Sequence, residues 1–479
     1  MRNLKYVLIV TIFILTGNVF AQSTYNLSLK QAVDTSLIYN KNIQRYKEKV
    51  AQKKYEQKAA TANFLPVVDF TAGYTYMNDY MQVNMEQMKP SIDNAVGFYG
   101  SYLAEQLDLS EETQEEIHNR LVNGLKDVPA KNLDIPRNHF FNADFVAVQP
   151  IFTGGKIVAA RKFADANYNL ANADLKDVEN KVTAETIQRY LAVILLKEVV
   201  KTREFVLNGI KKHEKEAQKA LEVGVISKND VLRAKVAVSN AEIDLEQDKN
   251  RLELAQMALK TSLGLPDSIN IETIDNMEFK LLPYKPDSLF TMAKSTQPVF
   301  EQIKQKKAMV EQKHALERSE YLPQIAAFAS YGFFKDQYPV IMPPLLIGVQ
   351  MKFNIFHGFK NYNQLKSSKH LSLEVERAQE YANSQINLWI NKSYKEVIDN
   401  EVRYNKLEAT VNLAKENLRI AQKRFHEGVG KSIDVLDAQM ILQGAMLKRL
   451  HTLYQYYISV SDLGLAVGKP DIAINVISQ

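Results

Sequence analysis

Apolar and polar positions alternate along this chain with two different periods, and the changes of period mark out its elements. Val68, Phe70, Ala72, Tyr74 and Tyr76 alternate with Val67, Asp69, Thr71, Gly73 and Thr75, the two-residue period of a strand with one apolar face. Ile347, Val349, Met351, Phe353 and Ile355 alternate likewise with Gly348, Gln350, Lys352 and Asn354. Weaker alternation at Phe141, Ala143, Phe145 and Ala147, and at Ile325, Ala327, Ala329, Tyr331 and Phe333, gives two further strands. The four are predicted at about 66–77, 139–152, 323–334 and 345–356. In water this pattern is a half-buried sheet; in lipid it is a barrel wall with its apolar side outward.

Elsewhere the period is that of a helix. Between Lys156 and Gly224 there is no proline, and Ile157, Ala160, Ala164, Tyr168, Ala171, Leu175, Val178 and Val182 recur at spacings of three and four. This predicts one very long helix over about 156–222, on the order of 100 Å at 1.5 Å per residue. A return helix over about 229–263 carries a sharper heptad at Val231, Ala234, Val238, Ala241, Leu245, Leu252, Ala255 and Leu259, with Asp248 as its lapse. Gly224 suits the left-handed residue that ends a helix, and Asn229 and Asp230 carry side-chain oxygens able to start the next.

The chain also repeats itself. Asn63-Phe64-Leu65-Pro66 returns as Glu320-Tyr321-Leu322-Pro323, an offset of 257 residues. Ile151-Phe152-Thr153-Gly154-Gly155-Lys156 returns as Ile355-Phe356-His357-Gly358-Phe359-Lys360, an offset of 204 that carries Gly224 onto Gly428, Asp230-Val231-Leu232 onto Asp434-Val435-Leu436, and Pro266 onto Pro470. The two halves are duplicates. Repeat 1 is predicted over 22–263, with a tip at about 223–228 and a surface loop insertion at about 78–138. Repeat 2 is predicted over 287–467, with a long helix at about 359–426, a tip at about 427–432 and a return helix at about 433–467. The segment 264–286 joins them, and 468–479 is a tail. Four strands cannot close a barrel, so closure in lipid requires several copies of the chain.

Composition narrows the function. The 479 residues contain no cysteine, 60 Lys and Arg and 55 Asp and Glu. Thiolate metal sites, disulfides and Cys nucleophiles are therefore excluded, and a formal charge of +5 without a basic block speaks against nucleic acid. Arg2 and Lys5 precede the apolar run Val7 to Leu15, and Val19-Phe20-Ala21 suits signal peptidase, so residues 1–21 are predicted to be a signal peptide. No later run is long and apolar enough to be a membrane helix. The eight histidines are scattered, there is no metal-binding or nucleophile motif, and Thr153-Gly154-Gly155-Lys156 reads as a turn. Neither a catalytic site, a metal site nor a cofactor is expected. An acidic stretch from Glu105 to Glu116 lies in the insertion, where Ser110 resembles a helix start. Met77, Met81, Met85 and Met88 fall at helical spacing there, which suits a packing stripe rather than a site for a soft ion such as Cu(I).

The duplicated pattern, with Gly224-Val225 and Asp230-Val231 in one half and Gly428-Val429 and Asp434-Val435-Leu436-Asp437-Ala438 in the other, resembles the TolC-like outer-membrane factors of bacterial efflux and secretion systems. The resemblance runs from Leu27 to Pro470. It implies a mixed α and β membrane protein that forms a homotrimer, with a 12-strand β-barrel in outer-membrane lipid on a 12-helix α-barrel crossing the periplasm. Its partners would be a periplasmic adaptor (membrane fusion) protein and an inner-membrane pump, proton-driven or of the ABC type. It also implies that Asp434 and Asp437, with Asp230 as repeat partner, line a channel constriction. The adaptor would dock on the tips at Val223, Gly224, Val225, Gly428 and Val429. Gate contacts would fall at Phe425, Gly430 and Lys431, although Phe425 and Gly430 depart from the family's hydroxyl-bearing aromatic and arginine. A periplasmic coiled-coil adaptor or scaffold would use similar hairpins without needing aromatic strands, and an exported hydrolase would need a polar cluster.

Overall fold

A computed structural model describes residues 25–107, 109–131, 133–135, 138–266, 268–334 and 343–477; the predicted signal peptide lies outside the described residues. The described chain divides into a helical unit (25–61, 158–317 and 360–477) and a strand-bearing unit (62–157 and 318–359).

In the helical unit, strand β1 (Tyr25–Leu27) is followed by α1 (Leu29–Tyr39) and α2 (Lys41–Ala62). Ser28 starts α1, accepting the Gln31 N–H while the Gln31 side chain accepts the Ser28 N–H. The long helix α5 (Lys156–Glu222) and its return α6 (Lys228–Leu263) contain 67 and 36 residues; α9 (Lys360–His426) and α10 (Ser432–Val467) contain the same numbers. Between the two pairs lie β6 (Ile271–Thr273), parallel to β1, then α7 (Pro286–Thr296) and α8 (Pro298–Ser319). Residues 468–477, expected as tail, include α11 (Asp471–Ile477), whose Ile472, Ala473 and Val476 are buried.

The largest core gathers where these connections meet. Tyr190, Tyr456, Tyr457, Leu259, Leu263 and Leu463 are all buried there, each apolar side chain contributing about 1.5–3 kcal/mol. The phenols are not left unpaired. Tyr190 Oη lies 2.7 Å from both the Leu27 carbonyl and Asp275, which share its one proton, and Tyr456 Oη donates to the Lys280 carbonyl at 2.7 Å. Asp275 also accepts the Leu29 N–H at 2.6 Å, tying the N-terminal segment to α5. Gly264 and Gly468 end α6 and α10 with positive φ, and a Cβ on either would meet a backbone oxygen (Tyr39 or Thr296) at 2.3 or 2.5 Å. Only glycine fits both demands.

The strand-bearing unit holds an antiparallel sheet in the order β2 (Val67–Tyr76), β5 (His139–Phe152), β7 (Gln324–Gly332), β8 (Leu345–Lys352). Its register carries each face across all four strands. Val68, Ala147, Ala329 and Ile347 form one continuous row, and Phe70, Phe145, Tyr331 and Leu345 the next. On the opposite face Thr71 pairs with Asp144, which pairs with Gly332. Strand β8 stops at Lys352, short of the predicted 356. Its partner β7 begins at Gln324 after Pro323, which has no N–H to donate, so the residues beyond Lys352 have no ladder to join.

The insertion is not a plain loop. It forms α3 (Met85–Gln106) and α4 (Glu111–Lys126), antiparallel and joined to the strands by a short ladder of β3 (Met81–Val83) with β4 (Leu133–Ile135). Gly97 and Gly100 let the helices approach, since a Cβ on either would strike Val122 or Leu121. The methionine stripe does not exist as such: Met77 precedes β3, Met81 lies in it, and Met85 and Met88 are in the first turn of α3. Ser110 is the N-cap residue of α4, with its hydroxyl 2.8 Å from Thr113 Oγ1.

Candidate functional site at the helix-hairpin ends

The sequence directs attention to the two turns between the long helices and their returns. Both turns have the same backbone. Gly224 at φ 78° donates to the Leu221 carbonyl at 2.9 Å, and Val225 reaches back to the Ala220 carbonyl at 2.8 Å. One repeat later Gly428 at φ 74° donates to Phe425 and Val429 to Arg424, each at 3.0 Å. These paired bonds satisfy the last carbonyls of each helix and reverse the chain over a left-handed glycine. Val223, Val225 and Val429 are 62–74% exposed, so both turns present apolar side chains that no described residue covers.

Asp230 and Asp434 occupy matching positions three residues after the residue that starts each return helix. Asp230 Oδ2 accepts the Ser227 N–H at 3.1 Å and the Ser227 hydroxyl at 2.6 Å, and Ser227 Oγ accepts the Asp230 N–H at 3.3 Å. The Ser227 hydroxyl holds the Asp230 carboxyl below its ordinary range. Asp434 Oδ2 accepts the Lys431 N–H at 3.2 Å, but lysine stands where the serine was, so only one side of the cap is made. Asp437 lies one turn on and is exposed, with no hydrogen bond or ion pair from its carboxylate among the described residues.

The two gate candidates that depart from the family pattern have structural explanations. Phe425 is buried, packed edge-on against His213 with ring centres 4.8 Å apart, in a cluster with Ala217, Val231, Leu418 and Val435. Gly430 donates to the Arg424 carbonyl at 2.9 Å, and a Cβ there would lie 2.9 Å from the Phe425 nitrogen and 3.0 Å from Arg424. No side chain fits without moving backbone. Lys431 is exposed beside it.

His213 was not singled out by sequence reasoning. Its Nε2 lies 2.8 Å from Ser432 Oγ at the first turn of α10, linking the long helix of one repeat to the return helix of the other. Burial holds its imidazole below the ordinary value. The available signal was its place on the seam Val206, Ile210, His213, Ala217, at spacings of four, three and four. Beside these ends a groove of about 450 Å³ opens between α6 and α10, lined by Leu232, Val236, Leu436 and Met440. Among the described residues no group of acidic or histidine side chains is arranged to hold a metal ion, and no helix is long and apolar enough to cross a membrane.

Comparison with known proteins bears on this arrangement. Residues 32–265 and 290–469 match the family described as outer membrane efflux protein. The cobalt-zinc-cadmium resistance protein CzcC of Cupriavidus metallidurans is 26% identical over 328 residues, 67% of this chain and 75% of that protein. The Campylobacter jejuni CmeC outer membrane channel superposes with a TM-score of 0.70 at 15% identity, over 92% of this chain and 85% of its own. The outer membrane protein VceC of Vibrio cholerae does so with a TM-score of 0.69 at 16% identity, over 92% and 96%. The family match spans both repeats, and the chain belongs to the outer membrane efflux protein family.

Proposed function

We propose that three copies of this chain form a passive exit duct through the outer membrane. In this reading twelve strands close a barrel in lipid and twelve long helices continue it into the periplasm. The observation that carries the reading is the sheet. Its edges β2 and β8 have no partner among the described residues, while Phe70, Tyr74, Ile347, Val349 and Met351 on one face are 57–69% exposed. In water such a sheet would aggregate through its edges; three copies joined β2 to β8 in lipid satisfy both edges and the apolar face. The helices support the same closure, since Leu232, Val236 and Ile243 on α6 and Leu413 and Ile420 on α9 form exposed heptad stripes without a partner among the described residues.

The turns at Val223 to Val225 and Gly428 to Val429 then dock a periplasmic adaptor, which connects the duct to an inner-membrane pump. Asp434 and Asp437 form carboxylate rings around the entrance, with Asp230 chiefly a helix cap, and Lys431 is the cation available to close it. Such rings favour cations, and the metal resistance named for CzcC favours cation cargo too. A periplasmic scaffold would not need the lipid-suited sheet. Purified in detergent, the protein should have the mass of three chains and conduct ions in planar bilayers. A monomer without conductance would sink the proposal.

A further inference from the structure

We infer that the α3–α4 hairpin is an intersubunit cap: the α3 helices of neighbouring copies pack on one another above the mouth of the barrel. The inference rests on the three-copy duct reading and adds to it an occupant for an otherwise uncovered surface.

One side of α3 is fully accounted for. Gly97, Gly100 and Ala104 face α4, and Lys89 Nζ donates to the Lys126 and Val128 carbonyls at 2.6 and 2.8 Å, fastening the hairpin at its base. The opposite side is not. Met88, Ile92, Tyr99, Tyr102 and Leu103 are 39–64% exposed, and at 100° per residue they share one face on which no charged residue falls, while Phe98 at its border packs on His118 of α4. An uncharged aromatic face this large on a soluble part of a protein marks an interaction surface.

Three observations identify a second copy as its occupant. The first is position. The hairpin stands on the β3–β4 ladder, which continues the β2–β5 pair through a bond from the Met77 N–H to the Asn138 carbonyl at 2.7 Å. Because β2 is an edge strand, this places the hairpin beside the seam where the next copy joins. The second is charge. From Met85 to Lys126 there are eight Asp and Glu against three Lys and Arg. Glu111, Glu112, Glu115 and Glu116 are exposed on α4 rather than on the apolar face of α3. Packing α3 against α3 turns the uncharged faces inward and keeps the acidic helices apart, whereas an anionic lipid surface would repel the hairpin. The third is size. Twelve strands about 4.8 Å apart and tilted about 40° enclose a barrel about 24 Å across. Six helices packed about 9 Å apart make a bundle about 30 Å wide, enough to cover it.

The absence of cysteine allows a direct test. Tyr102→Cys and, as an outward control, Glu115→Cys each introduce one thiol into the full chain. Oxidation in intact outer membranes is expected to give disulfide-linked dimers for Tyr102→Cys and none for Glu115→Cys. The yield should stop at two chains in three, because three thiols around one axis leave one unpaired. The mass of the detergent-extracted protein is read in parallel. A three-chain assembly without Tyr102→Cys dimers overturns the cap and leaves the duct standing. So does quenching, by brominated lipid, of a fluorophore on the Tyr102→Cys thiol. A single-chain mass overturns the duct reading and the cap with it.

Discussion

Arg203 on α5 and Asp248 on α6 form an ion pair at 2.9 Å in which the carboxylate side chain is only 3% exposed. Arg251 reaches the other oxygen of Asp248 at 2.8 Å, and Arg203 also holds Asp244 at 2.7 Å. Asp248 is thus the lapse in the return-helix heptad, and the long helix answers it with a cation. Removing that cation leaves one buried oxygen of Asp248 without its partner, while Arg251 stays on the other. We expect Arg203→Ala to destabilise the hairpin by about 1–3 kcal/mol and the apolar pair Arg203→Met with Asp248→Leu to restore most of it. Thermal melts followed by circular dichroism in detergent read both outcomes.

Gly430 falls where the resemblance implies an arginine. Because a Cβ there would meet the Phe425 nitrogen at 2.9 Å, Gly430→Arg is expected to cost about 1–3 kcal/mol instead of adding a latch. Lys431→Ala, at an exposed position, should leave the melting temperature within a degree or so of the parent. A Gly430→Arg protein as stable as the parent would show that the turn rearranges freely.

Asp434 and Asp437 differ in what they hold. Asp434→Ala removes a helix cap and should cost about 0.5–2 kcal/mol, while Asp437→Ala should be neutral for stability. If both line the entrance, each reduces cation selectivity in planar bilayers and the double variant reduces it further. An unchanged reversal potential in the double variant would remove the ring from the proposal.

His213 makes the hairpin ends sensitive to acid. Its folded-state affinity for protons is lowered by burial, so below the ordinary imidazole value of about 6.5 the unfolded chain binds the proton first. The contribution to stability is complete above that pH and is lost as pH falls through the lower folded value. A pH series of melting temperatures between 7 and 5 should fall for the parent and fall less for His213→Gln.

Much of the architecture follows from periodicity, because a helix without proline and a strand with strict alternation each leave a repeating signature. The seam from Ile157 to Val182 lies on α5, and the alternation at Val68 to Tyr76 lies on β2. The α3–α4 hairpin is legible only at Ser110, where α4 starts, for a physical reason. Pro90, Gly97, Gly100 and Gly124 read locally as breakers, whereas Pro90 sits early in α3 and Gly97 and Gly100 are where two helices touch. Beyond Lys352 the alternation continues past the point where the ladder loses its partner, so the pattern alone overstates the strand. At the candidate site, the turns and the aspartates are visible as local motifs. The bond between His213 and Ser432 is not, since it joins residues 219 apart whose proximity depends on packing the repeats together.

The unequal caps of the two return helices have a consequence for motion. The start of α6 is held by bonds within its own first turn, between Ser227 and Asp230. The start of α10 has half that set and is held instead by Ser432 against His213 of the other repeat. Amide hydrogens near 228–231 should therefore exchange with solvent water by fraying of one helix end. The amide of Asp434, bonded to the Lys431 carbonyl at 3.2 Å beside the Ser432–His213 contact, should exchange more slowly, at a rate that reports the parting of the two hairpins.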